Sequence, residues 1–175
     1  MKKILTVVVI AVMSLTASAQ IYVGGELNAW RDYEGNRTDV SILPEIGYTL
    51  SDNLAIGTVI GWRYSYTAGQ KWNGLEVAPY LRYTFLKADK VNVFVDGGFG
   101  FKTGKVKGQD AANAWSVGLK PGVAVNLTDK LSFVTHFGFL GWRKSDVGAR
   151  QVFGQDGFGL DMNGNNLTFG LYYNF

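Results

Sequence analysis

The feature that most constrains this chain is an alternation of large and small side chains at every second residue, the period of a β-strand. In the segment LAIGTVIGWRYSY, residues 54–66, one face is mainly large and apolar, and the other is mainly glycine, alanine and serine. A soluble sandwich or lipocalin-like barrel would place apolar side chains inside and polar ones outside. We interpret the pattern as the reverse, because the small and partly charged face suits a narrow lumen and the apolar face suits lipid.

The alternating segments number eight, at residues 20–30, 41–50, 54–66, 74–85, 91–102, 114–127, 131–142 and 166–175. Each has about the ten residues that a tilted strand needs to cross a bilayer. Short turns lie at 51–53, 86–90 and 128–130, and longer polar connections lie at 31–40, 67–73, 103–113 and 143–165. Since an open sheet leaves unpaired backbone groups in lipid and a closed barrel does not, the sequence predicts an all-β fold, an eight-stranded antiparallel up-and-down transmembrane β-barrel.

The first 19 residues are typical of a cleaved signal peptide. Lys2 and Lys3 precede an apolar run at 4–15, and Ala17-Ser18-Ala19 is a small-residue cleavage site. We therefore expect the barrel domain to be residues 20–175 and the protein to be exported. Loss of the two lysines lowers the formal net charge from +3 to +1, which argues against a nucleic-acid partner. The chain has no cysteine, which excludes a disulfide framework and a thiolate metal site.

The three prolines of the chain occupy equivalent places, each six residues before the last apolar residue that precedes a short turn. Pro44, Pro79 and Pro121 fall on the lipid face by strand parity. Because proline cannot donate a hydrogen bond to a sheet, each is predicted to mark a bulge or a local kink. The alternative is that the three positions reflect repeat ancestry and have no present role.

Aromatic residues gather near the strand ends, as expected of the belts that barrels place at the two membrane interfaces. Toward the short turns lie Tyr48, Tyr83, Phe85, Phe133, Tyr173 and Phe175, and toward the long connections lie Trp62, Tyr64, Tyr66, Trp72 and Trp115. Strict parity places Trp30 and Trp142 in the lumen. A single bulge in either strand would turn its tryptophan outward, so both positions remain open.

The C-terminal residues TFGLYYNF resemble the insertion signal of outer-membrane barrels, with Thr168, Gly170, Tyr173 and Phe175 in its polar, glycine and aromatic places. With the signal peptide and eight strands, the chain is similar to the OmpA and OmpX type of small bacterial outer-membrane β-barrel. This resemblance covers residues 20–175. It implies a Gram-negative outer membrane, insertion by the barrel assembly machinery, contact with lipid and lipopolysaccharide, short turns in the periplasm and long loops outside. We expect a monomer.

Charged residues on the lumen face are predicted to pair with one another, since an isolated charge in a narrow interior is unfavourable. They are Glu26, Glu45, Arg63, Glu76, Arg82, Asp96, Lys102 and Lys120, with His136 in addition. Counting from the turns sets Arg82 against Phe94, Asp96 against Lys120 and His136 against Gly122. We predict one cluster of Arg82, Asp96 and Lys120 and another of Glu76 and Arg63, and interpret them as a plug, with a narrow polar path as the alternative.

Catalysis, metal binding and cofactor binding have weak support in the sequence. His136 is the one imidazole, and Ser132 lies four residues before it, but no histidine-x-serine pattern is present. The residues GQDGFGLDMNGN at 154–165 do not match an EF-hand. No cofactor, metal or catalytic residue is therefore expected. A lipid A-modifying enzyme is the least favoured function.

The longest connection, 143–165, is the best candidate for an extracellular ligand site. Aromatic and apolar residues in the connections could anchor such a contact: Tyr33, Trp72, Val152, Phe153 and Phe158. The sequence thus favours a non-enzymatic barrel with a structural or surface-recognition role, and a small-solute channel is the first alternative.

Overall fold

The chain forms a β-barrel in a computed structural model that describes residues 20–67, 69–106, 110–146, 156–162 and 168–175. Its strands are β1 (Ile21–Asp32), β2 (Arg37–Ser51), β3 (Leu54–Thr67), β4 (Gln70–Lys87), β5 (Val91–Val106), β6 (Ala111–Asn126), β7 (Leu131–His136), β8 (Phe139–Ser145), β9 (Gly157–Asp161) and β10 (Thr168–Asn174). Within these ranges no helix has the length and hydrophobicity to cross a membrane.

The strands close into a single antiparallel barrel. Each strand from β1 to β6 pairs with the next, and β1 pairs with β10 from Tyr22↔Asn174 to Glu26↔Gly170. Both β7 and β8 pair with β6, while β10 pairs with β7 and β9 with β8. The seventh barrel strand is therefore β7 followed by β8, and the eighth is β9 followed by β10. The predicted eight-stranded up-and-down barrel is confirmed.

The strands extend further than predicted at the end opposite the short turns, which we call the long-loop end. Most of the predicted connection 31–40 is strand, with β1 reaching Asp32 and β2 starting at Arg37. The connections 67–73 and 103–113 are shortened in the same way. These polar stretches were wrongly assigned to loops, because polar strands above a membrane can still pair as hairpins. In the connection 143–165, residues 147–155 and 163–165 lie outside the described residues.

Large apolar side chains cover the outside of the barrel, as the inverted pattern predicts. Leu75 is 59% exposed and Leu171 is 55% exposed, whereas Phe94 and Val134 in the lumen are at most 2% exposed. A soluble protein would reverse these values. The apolar outer face is therefore the surface that meets lipid, and the core of the molecule is the interior of the barrel.

Two of the three prolines interrupt the sheet without the predicted bulge. Pro44 pairs with Gly25 and Pro79 with Thr58 on the preceding strand, but the ladder to the following strand is broken beside each proline. The β4–β5 ladder, for example, skips Ala78 and Pro79 and resumes in the same register. The missing N–H removes local pairing and leaves strand alignment unchanged. Register shifts lie instead near the short turns, at 49–51 and 84–86.

The third proline, Pro121, lies beside a strand of the barrel that contains one extra residue. Between the pairs Leu119↔Leu140 and Gly122↔His136 the seventh barrel strand gains one residue, and Gly138 there has φ +79°. Glycine tolerates this left-handed conformation. The insertion reverses side-chain parity and turns Trp142 outward, where it is 42% exposed. The extra residue thus decides the position of Trp142, which strand parity left open, and the side chain of Trp30 is not among those that the structure describes.

Candidate functional site

The half of the lumen nearest the short turns is filled by large side chains that we call the plug: Tyr22, Tyr80, Arg82, Phe94, Val134 and Tyr172, all less than 10% exposed. Each ring lies against a glycine of a facing strand. A Cβ atom on Gly24, Gly47, Gly57 or Gly122 would overlap Tyr172, Tyr22, Tyr80 or Phe94, respectively. Small residues on one strand thus provide the volume that a ring from another strand occupies. The result is an interior filled with side chains, as an eight-stranded barrel allows.

Arg82 is the central charge of the plug. Its guanidinium group donates to both carboxylate oxygens of Asp96, with Nε–Oδ1 2.7 Å and Nη2–Oδ2 2.8 Å. Its Nη2 is also 3.5 Å from Oε1 of Glu45. The face of the guanidinium lies 4.0 Å from the Phe94 ring centroid and 5.1 Å from that of Tyr80. Bidentate pairing and ring stacking together satisfy a cation that water does not reach.

His136 extends this network across the barrel. Its Nδ1 is 2.9 Å from Oε1 of Glu26, and its Nε2 is 2.9 Å from Oδ2 of Asp96. Thr168 donates from Oγ1 to the same Glu26 oxygen at 2.8 Å. Both imidazole nitrogens are therefore engaged. The residues Glu26, His136, Asp96, Arg82 and Glu45 form one continuous chain of contacts from strand β1 to strand β2.

Tyrosines complete the network on the carboxylate of Glu45. The hydroxyl groups of Tyr80 and Tyr172 both donate to Glu45, and the Tyr80 hydroxyl also contacts that of Tyr22. The Tyr22 and Tyr172 rings stack with centroids 5.8 Å apart. Sequence reasoning missed these tyrosines. Their lumen-facing parity could have identified them, since a buried phenol requires a hydrogen-bond partner.

A second group of charges lies toward the long-loop end of the lumen. Arg63 donates from Nε to Glu76, and Lys102 Nζ lies 3.6 Å from Oε1 of Glu76. Arg143 pairs with Asp161 at 3.1 Å, a contact missed because both residues were assigned to a loop. The basic side chains of these two groups are more exposed than those of the plug, with Arg63 28% exposed, whereas the Glu76 side chain is only 5% exposed. The structure thus brings the predicted Glu76 and Arg63 together and adds Lys102.

The predicted triad of Arg82, Asp96 and Lys120 is wrong in one member. Lys120 lies opposite Asp96 in the sheet, as expected, but it makes no ion pair with the described residues and is exposed. Arg82 and His136 already occupy both oxygens of Asp96. The predicted pairing of Arg82 with Phe94 is also wrong: Arg82 lies directly opposite Asp96, because β4 continues to Lys87, which pairs with Asn92 across a tighter turn than the predicted 86–90. His136 does lie opposite Gly122.

The residues expected to anchor a contact at the long-loop end differ in their exposure. Trp72 is only 2% exposed, and its ring fills the space above Gly74 and Gly104 in the lumen. Trp72 is neither an interfacial belt residue nor a surface anchor. Its position belongs to strand β4 and not to a loop, and the alternation along β4 directs its side chain inward. Tyr33 and Phe158 are 85% and 77% exposed. Val152 and Phe153 lie outside the described residues.

The four residues of the C-terminal motif divide between the two faces of β10. Thr168 lies on the lumen side and binds Glu26, and Gly170 follows it on the same face. Tyr173 and Phe175 lie on the outer side, 39% and 66% exposed, with ring centroids 5.0 Å apart. The backbone N–H of Phe175 donates to the carbonyl group of Ile21 at 3.0 Å. The motif therefore lies at the seam where the last strand closes onto the first.

Comparisons with known proteins agree with this architecture. A family model described as "Outer membrane protein beta-barrel domain" matches residues 4–175. The N-terminal β-barrel domain of Pseudomonas aeruginosa OprF is similar, with TM-score 0.56 and 14% identity over 90% of this chain and 96% of that one. A major outer membrane protein from Thermus thermophilus gives TM-score 0.54 and 14% identity, covering 90% of this chain and 100% of that one. A search of curated protein sequences finds no match.

Proposed function

Since the chain belongs to the outer membrane protein β-barrel domain family and its place is the outer membrane, we propose that it is a non-enzymatic barrel with a closed lumen. Its role is to support the envelope or to recognise an extracellular ligand through the long-loop end. The observation that carries this proposal is the plug. A lumen filled by side chains leaves the outer surface and the loops as the parts available for function.

The arrangement of charges in the plug supports a structural role for them. Arg82 has carboxylates on two sides and aromatic rings on its faces, and His136 is held at both nitrogens. Groups fixed in this way lack the exposure that a permeating ion or substrate needs. Ser132 donates to Oδ1 of Asn126 at 2.9 Å, so its nearest hydrogen bond is not to His136. This pairing supports the non-enzymatic assignment.

Recognition at the long-loop end is supported by the exposed aromatic residues there. Tyr33 in the β1–β2 turn and Phe158 on β9 have large rings that are mostly exposed. Exposed aromatic rings are over-represented at protein contact sites. The connection 143–165 is the proposed ligand site, and the barrel assembly machinery, lipid and lipopolysaccharide are the proposed partners of a monomer exported by a cleaved signal peptide. Deletion of 147–155 should abolish ligand binding while the barrel still forms.

A small-solute channel is the second candidate, favoured by the more open half of the lumen. Lys120 is exposed although its strand position faces inward, and Arg63, Lys102 and Arg143 are each 27–30% exposed. Water therefore reaches several lumen charges on the long-loop side of the plug. Conduction would require the plug to open, either through rearrangement of Arg82 between Asp96 and Glu45 or through movement of a ring.

Single-channel recording in a planar bilayer separates the two candidates. We expect refolded wild-type protein to be silent, with folding verified by the change in gel mobility on boiling. The double substitution of Tyr80 and Tyr172 by alanine removes two rings of the plug and should introduce openings. Lys71→Gln, on the outer face of β4, is the charge control. Regular openings of the wild-type protein that change in Asp96→Asn would replace the closed-lumen proposal with the channel.

A further inference from the structure

The lipid-facing surface contains a depression that we call the trough. Its floor is formed by three small or flat side chains on adjacent strands, Thr58, Pro79 and Gly97, and its walls by Ile46, Leu81 and Phe99. Its volume is about 750 Å³, within the range of small-molecule sites. The wall residues are 39–52% exposed, so the trough opens outward.

Strand pairing explains why the depression forms. Thr58 lies directly opposite Pro79, and Leu81 lies directly opposite Gly97, so small residues fall next to one another obliquely across β3, β4 and β5. The other outward positions of these strands between the aromatic belts are mostly large, such as Ile60, Val77 and Phe101. At Gly97 a Cβ atom would lie 3.3 Å from the side chain of Leu119, a tight contact that a small movement of this side chain relieves. The trough is thus a gap in side-chain cover.

We propose that the trough binds one acyl chain of a zwitterionic phospholipid. The depression is continuous with the surface that meets lipid, and its walls are apolar, so hydrocarbon is the chemistry that fills it. Filling it adds dispersion contacts that a flat surface does not provide. This site is independent of the lumen and holds whether or not the barrel conducts.

The short-turn end of the trough indicates the headgroup. Tyr48 lines the trough at that end, where a tyrosine hydroxyl suits the polar interface. Asp52 lies in the β2–β3 turn four residues beyond Tyr48, and the end of β4 and the β4–β5 turn at the same rim carry Lys87, Asp89 and Lys90. Charges of both signs suit a headgroup with one ammonium group and one phosphate, whereas the carboxylates disfavour the several phosphates of lipopolysaccharide.

Native mass spectrometry of the full-length protein in mild detergent, titrated with phosphatidylethanolamine, tests the proposal. We expect one retained lipid per wild-type barrel. Gly97→Leu places a side chain in the trough and should weaken retention by at least about tenfold, the effect of roughly two lost buried methylene groups. Val117→Leu is the matched control, because Val117 is also outward-facing, 52% exposed and outside the trough.

Two results would overturn the proposal: equal retention by Gly97→Leu and the wild type, or stronger retention of lipid A than of phosphatidylethanolamine. Thr58→Leu fills the same floor from another strand and replaces Gly97→Leu if that variant does not fold. Gel mobility without boiling identifies the folded variants, so that lost retention can be assigned to the trough.

Discussion

The two halves of the lumen differ in how their side chains are packed and how their charges are paired. Near the short turns, rings fill the spaces left by glycines, and Arg82 is enclosed by Asp96, Glu45 and aromatic faces. Toward the long-loop end, charges pair in smaller groups, and several remain partly open. The comparison indicates that packing and charge satisfaction are coupled in the plug, where each group depends on its neighbours. In the other half Trp72 is also packed against Gly74 and Gly104, but the charges are more exposed, so we expect substitution of a single basic residue to cost less there.

Substitution of Arg82 should have the largest effect. Arg82→Met removes the cation that Asp96 and Glu45 share and leaves buried carboxylates unpaired, so we expect a loss of about 3–5 kcal/mol in the free energy of unfolding. Urea titration of vesicle-embedded protein, followed by tryptophan fluorescence, measures it. Arg63→Met in the more open half is the comparison and should cost clearly less. Equal losses would remove the distinction between the two halves.

Insertion of an extra side chain into the plug should have the next largest effect on the free energy of unfolding. A valine at Gly57 would overlap the Tyr80 ring and force it from its position, which should destabilise the barrel by about 1–3 kcal/mol. Gly159→Val is the control, because nothing among the described residues lies within 4 Å of a Cβ atom there. The same unfolding assay compares them. A stable Gly57→Val variant would show that the plug is loosely packed.

Removal of a single hydroxyl group is a finer test. Tyr172→Phe keeps the ring against Gly24 but removes a hydrogen bond to the carboxylate of Glu45, which should cost about 1.5–3 kcal/mol. Combining it with Arg82→Met in a double-mutant cycle measures coupling within the network. Additive losses would mean that the tyrosine and the arginine act independently.

Neutralisation of Lys120 should have the smallest effect. Lys120→Gln changes an exposed side chain that makes no ion pair with the described residues, so the free energy of unfolding should change by about 0.5 kcal/mol or less. A loss comparable to that of Arg82→Met would show that Lys120 belongs to the plug, as the sequence predicts.

Local signals predicted much of the molecule. The alternation in residues 54–66 identified β3 and its lipid face, and the tight turn at 51–53 was placed correctly. The Asp96–Lys120 and His136–Gly122 pairs followed from counting along the strands. Counting could not decide positions beyond an irregularity: the extra residue at Gly138 turned Trp142 outward, and the tighter β4–β5 turn placed Arg82 opposite Asp96 and not opposite Phe94. A bulge has little local signal, but its effect continues along the whole strand.

Strand periodicity and side-chain size are local properties, so the amino-acid sequence was enough to predict the class of fold, the lipid face and most of the lumen charges, Arg143 and Asp161 excepted. Which charges meet depended on how the strands align in the folded barrel. Arg82 pairs with Asp96 and Glu45, and His136 contacts both Glu26 and Asp96. Lys120 is exposed and makes no ion pair with the described residues. Those contacts depend on the register of several strands and on the closure of β1 onto β10. Each contact therefore joins residues that are far apart in the sequence. Every strand contributes side chains to the same barrel interior, so a change in the alignment of one strand alters which charges can meet.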